Sequence, residues 1–291
     1  MKILAIGDFH GGFPNKFYKI IDKEKIDLVV SLGDYPPFHY RKLWFKHCYG
    51  KPVELWQVIG KKRYRKIVMK DMTMAENALK KLNKVKVPVF TVLGNIDYPN
   101  PNDIGDYPLI FIKGQPNWEK VNLFTKRLGK YKNIHRFDYK ALKFDNYIFI
   151  GMRGHSVPGR VKSKAFRKHK KILDKLFNKY KKEKIIFVSH VTPYKTKLDK
   201  IGLKQLKMAL KGYYGKTIRK KKFKRHYGSK MAKRIINKYH PLLHLGGHIH
   251  ESWGKDKIGE TVLVNPGAAH EGKAAIIELN DGKIGKIKFI R

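Results

Sequence analysis

The chain has 291 residues, of which 42% are hydrophobic and 12% aromatic, so it can bury a sizeable core and is not a disordered protein. Its 65 lysines and arginines against 23 acidic residues give a formal net charge of +42, and such a field attracts polyanions. No apolar run approaches the roughly 18 residues that a membrane span needs.

Cysteine content and the N-terminus indicate a cytoplasmic, soluble protein. The single cysteine, Cys48, excludes a disulfide within the chain and suits a reducing compartment. The opening MKILAIGD has too short an apolar segment for a signal peptide and is typical of a first strand. Lysine far outnumbers arginine, which fits a solvated surface as well as nucleic-acid binding. Nucleic acid therefore stays open as a partner, a membrane is not expected, and the oligomeric state is not predicted.

Short runs rich in Val, Ile, Leu and Phe, bounded by glycine or polar turns, predict the strands. In chain order they are 2–6, 27–32, 87–93, 107–112, 147–152, 184–189, 241–245, 261–265, 274–279 and 286–290. Helical patterns cover 16–24, 74–82, 164–183 and 229–239, with Asn15 as the expected N-cap of the first. Strands and helices alternate early and strands follow one another late. This order predicts a mixed α/β sandwich, parallel in its first half and antiparallel late.

Two long segments interrupt this pattern. Residues 36–72 are aromatic, basic and without clear periodicity, and residues 193–228 end in the basic run KTIRKKKFKR. No serine- or glycine-rich linker, internal repeat or low-complexity block divides the chain. We therefore expect a single domain over residues 1–291 with insertions at about 36–72 and 193–228.

Polar side chains that can bind metal ions follow five of the predicted strands. In chain order the motifs are Gly7-Asp8-Phe9-His10, Gly33-Asp34, Gly94-Asn95, Ser189-His190 and Gly246-Gly247-His248-Ile249-His250. Each piece alone is more often turn or cap chemistry than a ligand. Ligands of α/β sheets bind at the carboxyl ends of strands, so together these loops predict one site.

The number and type of these side chains suit two metal ions. The candidates are Asp8, His10, Asp34, Asn95, His190, His248 and His250. One tetrahedral zinc takes four ligands, whereas two neighbouring ions sharing a carboxylate can use the whole set. Nitrogen and oxygen donors without a thiolate favour Mn, Fe, Zn, Co or Ni over soft metals. We expect two divalent ions, with Mn²⁺ as the first candidate.

At this point the sequence resembles a known family. The five motifs in this order are similar to those of the calcineurin-like metallophosphoesterases, and more closely to the archaeal and bacterial Icc-related branch of predicted phosphoesterases. The segments 226–252 (HYGSKMAKRIINKYHPLLHLGGHIHES) and 259–279 (GETVLVNPGAAHEGKAAIIEL) resemble the end of that branch. The resemblance covers nearly the whole chain, and both insertions are poorly matched.

The resemblance implies a four-layer α/β/β/α sandwich of two mixed sheets with a binuclear metal centre at one edge. It implies that Asp8, His10 and His250 hold one ion, that Asn95, His190 and His248 hold the other, and that Asp34 bridges both. It also implies a hydrolase in which a hydroxide bridging the ions attacks phosphorus in line. The expected substrate is a phosphoester, and a diester rather than a monoester.

The third motif departs from the family. In the family this motif is Gly-Asn-His-Asp/Glu. Its histidine contacts the phosphate and protonates the leaving oxygen. This chain has Ile96 at the position of that histidine. Asp97, whose implied role is to orient that histidine, is kept. The nucleophile is then expected to remain while the acid-assisted step is weakened.

Two other histidines and a metal-bound water are candidates to replace the missing acid. His155 follows a strand end beside a glycine, and His226 stands just before Gly228 and a helix start. We expect catalytic roles for Asp34, Asn95, His155 and His226, and substrate contacts from Asn95, His226 and Gly228. Two alternatives stay open: a nuclease-type diesterase that binds nucleic acid, and a non-catalytic metal-binding scaffold of the same fold.

Overall fold

The computed structural model of the protein describes residues 1–48, 51, 53–97, 114, 116–120, 123–154, 164–202 and 226–291. Its helices are α1 (Lys16–Glu24), α2 (Arg41–His47), α3 (Leu55–Ile59), α4 (Lys61–Asn83), α5 (Leu123–Leu128), α6 (Lys164–Lys179) and α7 (Lys230–Tyr239). Its strands are β1 (Lys2–Ile6), β2 (Leu28–Ser31), β3 (Val89–Thr91), β4 (Ile134–Arg136), β5 (Ala141–Phe144), β6 (Tyr147–Met152), β7 (Lys184–Val191), β8 (Leu243–Gly247), β9 (Gly254–Ile258), β10 (Thr261–Asn265), β11 (Ala274–Asn280) and β12 (Lys283–Ile290).

The strands form two six-stranded sheets, ordered β12-β11-β1-β2-β3-β4 and β5-β6-β7-β8-β10-β9. In the first sheet β1, β2, β3 and β4 pair in parallel, and β11 and β12 are antiparallel. In the second sheet β6, β7, β8 and β10 pair in parallel, with antiparallel strands at both edges. Parallel pairing thus reaches later in the chain than predicted, because β10 returns beside β8.

Alternating side chains of the central strands separate the layers. Ile3 and Ala5 of β1 point into a core between the two sheets, while Leu4 and Ile6 lie in a second core beneath α1 and α4. A third core joins the outer face of the second sheet to α6 and α7. Three cores between four layers define an α/β/β/α sandwich, and the predicted fold class is confirmed.

The first predicted insertion is more ordered than its sequence suggested. It carries α2, α3 and the first half of α4, and Leu55, Trp56, Tyr64 and Val68 are buried in the core beneath α1. Of the second insertion the structure describes 193–202 and 226–228. The predicted strand 107–112 lies outside the described residues. Within the described part of the chain, no helix combines the length and hydropathy of a membrane span.

One predicted helix cap is wrong. Asn15 stands at the N-cap of α1, but its side chain makes no capping hydrogen bond. Instead Asn15 Oδ1 accepts a hydrogen bond from Lys81 Nζ at 3.3 Å. The side chain therefore links α1 to the end of α4, and the helix begins without a side-chain cap.

Candidate metal centre

The carboxyl ends of the parallel strands bring the predicted ligands to one edge of the sandwich. Asp8 follows β1, Asp34 follows β2, Asn95 follows β3, His190 lies at the end of β7, and His248 follows β8. Parallel strands end at a common edge, so side chains from five distant parts of the sequence become neighbours.

The first group of ligand atoms comprises Asp8, His10 and His250, whose candidate atoms all lie within 4.8 Å of one another. His10 Nε2 is 3.3 Å from His250 Nε2, and His250 Nε2 is 3.1 Å from Asp8 Oδ1. Asp8 is buried and the two imidazoles are partly exposed. The group therefore sits at the rim of the site.

The second group comprises Asp34, His190 and His248, again with all candidate atoms within 4.8 Å. His190 Nε2 lies 3.3 Å from Asp34 Oδ2 and 2.9 Å from Asn95 Oδ1, so the Asn95 amide belongs beside this group. Asp34 and His190 are buried. The structure thus brings the seven predicted ligands together as two adjacent groups.

Two of the histidine rings are oriented by hydrogen bonds to backbone carbonyls. His10 Nδ1 lies 3.2 Å from the carbonyl oxygen of Pro36, and His190 Nδ1 lies 2.7 Å from that of Leu32. A carbonyl can only accept, so each Nδ1 carries the proton and donates it. When the ring is neutral, Nε2 therefore has the lone pair, directed toward its ligand group, which is the usual arrangement of metal-binding histidine.

Two observations on the first group fit a shared cation. Asp8 Oδ1 is buried and, among the described residues, has no hydrogen-bond partner, although His250 Nε2 is only 3.1 Å away. Close approach without hydrogen-bond alignment is expected of two ligands that point at a common ion. The donor set of carboxylate and imidazole without thiolate suits a divalent transition metal.

Charges within the site set the protonation of the ligands. Burial raises the pKa of Asp8, but nearby His250, His190 and His10 outweigh it and hold that pKa well below its ordinary value. Burial disfavours the charged form of His190, yet Asp34 and Asp8 raise its pKa to about 9. Burial, together with the neighbouring His190 charge, lowers the pKa of His248 to about 4. The carboxylates are thus charged at neutral pH, and His248 is ready to bind as the neutral base.

Backbone strain is concentrated at the ligands. Asp8, His10, Asp34 and His248 have φ angles of 55°, 44°, 58° and 71°, a left-handed region that residues other than glycine rarely adopt. Backbone hydrogen bonds hold this geometry, since the Asp8 amide donates to Gly33 O at 2.8 Å and the His10 amide to Asp34 O at 3.0 Å. Strain that the fold maintains in this way is typical of functional sites.

Two glycines let the loops after β2 and β3 cross. A Cβ on Gly33, whose φ is 85°, would lie 2.2 Å from the Gly94 nitrogen, and a Cβ on Gly94 would lie 2.0 Å from Asp34 Oδ1. No larger side chain fits at either position. The glycines before Asp34 and Asn95 are therefore required by contact between the loops as well as by the turn at each strand end.

Asp97 fastens these same two loops. Its buried carboxylate accepts hydrogen bonds from the amides of Asp34, Tyr35 and Gly94 at 2.9, 2.7 and 2.6 Å. Burial and the Asp34 charge raise the pKa of Asp97 to about 7, against the effect of those amides. In this chain Asp97 holds the ligand loops together, a role that needs no histidine at position 96.

Ile96 takes part through its backbone. Its amide donates to Asp34 Oδ1 at 3.1 Å, so it helps to orient that carboxylate. Any residue except proline could provide this amide, and the half-buried Ile96 side chain has no proton to transfer. Position 96 therefore has no side-chain proton donor, and the acid that the resemblance implies there is not supplied by this residue.

His226 lies beside the loop that carries His250. Its Nδ1 is 2.6 Å from Oδ1 of the buried Asp199, and its backbone bridges to Lys200. The Lys200 carbonyl accepts a hydrogen bond from Ser252 Oγ, in the 3₁₀ turn that begins at His250. His226 is thus a partly exposed, carboxylate-oriented imidazole whose backbone is linked through Lys200 to the turn that carries His250.

The other predicted substrate-contact residues have different outcomes. The Gly228 amide donates to Asp199 Oδ2 at 3.0 Å, and a Cβ on Gly228 would lie 2.7 Å from the Pro193 backbone. This amide already has a partner within the protein, so a contact of Gly228 with substrate stays a prediction. His155 lies outside the described residues.

One histidine of the site was not predicted. The His270 ring lies 4.9 Å from the His10 ring and 5.7 Å from the His250 ring, centroid to centroid, and its Nδ1 is 2.9 Å from Asp8 O. It follows β10 within PGAAHEGK and does not stand at a strand end. The only signal in the sequence was a lone histidine in a turn, which is common outside functional sites.

The family to which the chain belongs follows from comparison with known proteins. Residues 1–252 match the model of the calcineurin-like phosphoesterases, and the chain belongs to that family. This agrees with the resemblance seen in the strand-end motifs. Phosphoester hydrolysis assisted by divalent metal ions is the chemistry that the resemblance implies.

Individual proteins similar to this chain have low sequence identity or match only part of it. MJ1162, an uncharacterized protein of Methanocaldococcus jannaschii, is 35% identical over 133 residues, or 44% of this chain, and the match spans about half (52%) of that relative. The crystal structure of TT1561 from Thermus thermophilus is similar over 100% of this chain and 99% of that one, with a TM-score of 0.53 and 15% identity. Another crystal structure covers 99% and 97% with a TM-score of 0.65 and 20% identity. At these identities the structural likeness shows the fold alone.

Proposed function

We propose that the protein is a metal-dependent phosphodiesterase that uses two divalent ions, with Mn²⁺ as the first candidate. The observation that carries the proposal is the pair of adjacent ligand groups, each with a buried carboxylate and two imidazoles whose atoms lie within 4.8 Å. A scaffold without metal chemistry has no need of both groups. The proposal assigns Asp8, His10 and His250 to one ion, and His190, His248 and Asn95 to the other.

Asp34 is the proposed bridge between the ions. Its carboxylate lies in the second group, and its charge also acts on His10 of the first group. Bound ions would lower the pKa of a shared water, supply a hydroxide for in-line attack on phosphorus and neutralise the developing charge. The neutral amide of Asn95 would leave more positive charge for the phosphate than a third carboxylate would.

His226 is the proposed proton donor to the leaving oxygen. Asp199 orients its ring through Nδ1, so Nε2 is the nitrogen that would deliver the proton. This arrangement would replace the acid absent at Ile96. Replacing His226 by Gln should then lower turnover of an alkyl diester by about 10²-fold or more, with a much smaller loss on an aryl diester, whose leaving group needs less acid help. Equal losses on both substrates would remove His226 from this role.

The proposed preference for a diester over a monoester follows the family resemblance, and the absence of the third-motif histidine adds a preference for good leaving groups. The nucleophile depends on the ligand groups, whereas protonation of a poor leaving oxygen depends on an acid, so a substrate with a good leaving group is affected least. The test is hydrolysis of bis-aryl and mono-aryl phosphates by Mn²⁺-loaded protein. We expect metal-dependent turnover, faster for the diester. A protein loaded with two ions that hydrolyses neither would be a metal-binding scaffold.

A second candidate, a diesterase that binds nucleic acid, is favoured by one surface of α4. Four cations at i, i+1, i+4 and i+5 share adjacent rows of the helix and line a cavity of about 590 Å³ with Met69, Pro116 and Trp118. They are Lys61, Lys62, Arg65 and Lys66. Among the described residues none of the four belongs to an ion pair. Cations beside an aromatic ring suit a single nucleic-acid strand.

A charge reversal with a matched control tests this candidate. Replacing the four α4 cations by Glu is compared with the same change at four exposed lysines of α6: Lys168, Lys171, Lys175 and Lys179. If the α4 surface is the site, only the first variant should lose more than about tenfold in affinity for a labelled single strand, with a shallower salt dependence. Equal losses would mean that the net charge alone attracts the strand.

A further inference from the structure

His270 lies against the first ligand group without belonging to it. Its ring is 4.9 Å from the His10 ring at an interplanar angle of 82°, and 5.7 Å from the His250 ring at 67°. The ligand atoms within 4.8 Å of one another are those of Asp8, His10 and His250. His270 therefore packs along two of the three ligands while its own nitrogens stay outside the set.

His270 also holds the backbone of the third ligand. Its Nδ1 lies 2.9 Å from Asp8 O and must carry the proton, because a carbonyl only accepts. The neighbouring Ala269 amide donates to Gly7 O at 2.7 Å. These bonds act on the turn in which Asp8 and His10 have left-handed φ angles, a conformation that persists only where the surroundings fix it.

The two ligand groups differ in how much support they receive from the core. His190 is fully buried and hydrogen-bonded to the Leu32 carbonyl, so the sheets hold it. His250 keeps 26% of its side chain exposed, and the turn at Ala269–Glu271 packs beside it. The first group therefore depends on a turn that comes from the other end of the chain.

We propose that His270 is a positioning residue for the first metal ion: it fixes the Asp8 backbone and confines the His10 and His250 rings to the orientation in which all three can bind. The inference rests on the proposed function, since it concerns an ion held by those ligands. The ring supplies the packing, and the Nδ1–H supplies the hydrogen bond. Both contributions act before any substrate arrives, so they are measurable in metal binding alone.

The experiment is calorimetric titration of Mn²⁺ into the metal-free full-length protein and three variants. His270→Ala removes ring and donor, His270→Phe keeps a ring, and His270→Asn keeps an amide donor that can reach the Asp8 carbonyl. His135→Ala is the control, because His135 is an exposed histidine on the edge strand β4. The spin-coupled EPR signal of a manganese pair gives a second readout that does not depend on activity.

We expect His270→Ala to lower the affinity of the first ligand group for Mn²⁺ by about 10- to 100-fold, the range seen for residues that orient metal ligands. The affinity of the second group should be unchanged, and His135→Ala should bind both ions as the wild type does. In His270→Ala the coupled EPR signal should appear only at a higher Mn²⁺ concentration. His270→Phe and His270→Asn should each recover part of the loss, which also keeps the proposal testable if the alanine variant folds poorly.

Three results would overturn the inference. Unchanged binding of both ions in all His270 variants would make the ring incidental, and the proposed function would stand. Unchanged binding with a raised KM would make His270 a substrate contact. A wild-type protein that binds no pair of ions would remove the proposed function together with this inference.

Discussion

The two ligand groups are chemically alike and structurally different. In the second group Asp34 and His190 are 3% and 0% exposed at the ends of β2 and β7, and His248 is its one partly exposed member. In the first group Asp8 is buried, but His10 and His250 are partly exposed and are joined to the fold by turns. The second group is therefore preorganised by the core, whereas the first is assembled from peripheral turns. We therefore expect the second group to bind its ion more tightly.

Replacing Asp34, the proposed bridge between the two groups, should have the largest effect. Asp34→Asn takes away a charged ligand of the buried group and the proposed bridge, so we expect loss of turnover by more than about 100-fold, beyond the range for residues that only orient ligands. The measurement is diester hydrolysis with metal analysis. Asp22→Asn, at an exposed position on α1, is the control. An active Asp34→Asn protein would contradict the proposed bridge.

Proton release should distinguish the groups by pH. The His190 pKa of about 9 means that this ring is protonated in the metal-free protein at neutral pH, and an ion must displace that proton. The apparent affinity of the second group, which contains His190, for its ion should then rise about tenfold per pH unit between 6.5 and 8.5. His248, with a pKa of about 4, is already neutral and releases none. Calorimetry in buffers of different ionisation enthalpy counts the protons, and pH-independent binding would contradict this.

The same shift predicts a change in stability. A folded-state pKa raised above that of the unfolded chain stabilises the metal-free protein below about pH 6.5, and this contribution is lost as the pH rises toward 9. The bound ion replaces the proton at high pH. The increase in Tm on adding Mn²⁺ should therefore be larger at pH 8.5 than at pH 6.5.

Introducing a histidine at position 96 should have a moderate effect. General acid catalysis contributes about 10²–10⁴-fold, but Asp97 already accepts three amide hydrogen bonds and is not free to orient a new ring. Ile96→His should therefore raise turnover of poor leaving groups by about tenfold, at most. Ile96→Gln, polar but without a transferable proton, is the control. A similar gain in both variants would reflect polarity and not acid catalysis.

The smallest effect is expected from a substitution outside both ligand groups, at the N-terminus of α7. Ser229 caps α7, its Oγ accepting from the Ala232 amide at 3.1 Å. Ser229→Ala should lower the free energy of unfolding by about 1 kcal/mol and leave the affinity for both ions unchanged, as measured by urea unfolding and calorimetry. Ser229→Asp keeps the cap and should restore stability. Altered ion binding in Ser229→Ala would mean that α7 supports the site.

Much of the fold could be predicted because central strands are buried on both faces. β1, β6 and β10 read as continuous apolar runs and have the predicted bounds. Among the described strands, the three that were not predicted, β4, β5 and β9, all lie at sheet edges. β9, with the sequence GKDKI, alternates between half-buried and exposed residues. An edge strand without an apolar run carries little sequence signal, since its pairing is decided by the neighbouring strand.

The ligand loops were predictable for a related reason. Each lies where an apolar strand ends, so a ligand-type side chain at that point, in most cases after glycine, marks the site from local sequence alone. Asp199 and His270 have no such local sequence signal, because each acts through partners distant in sequence. Asp199 contacts His226, and His270 contacts Asp8 and His10. Asp97 was seen, but its three amide contacts depend on how two loops cross.

The most direct test of the account is stepwise loading of the metal-free protein with Mn²⁺ while bound ions and diester hydrolysis are measured together. Because the buried group should fill before the rim group, we predict almost no turnover after one equivalent and full turnover only as the second equivalent binds. The coupled EPR signal should grow in parallel with the rate. Full activity with one ion per chain, or none with two, would contradict a mechanism in which both ligand groups act together.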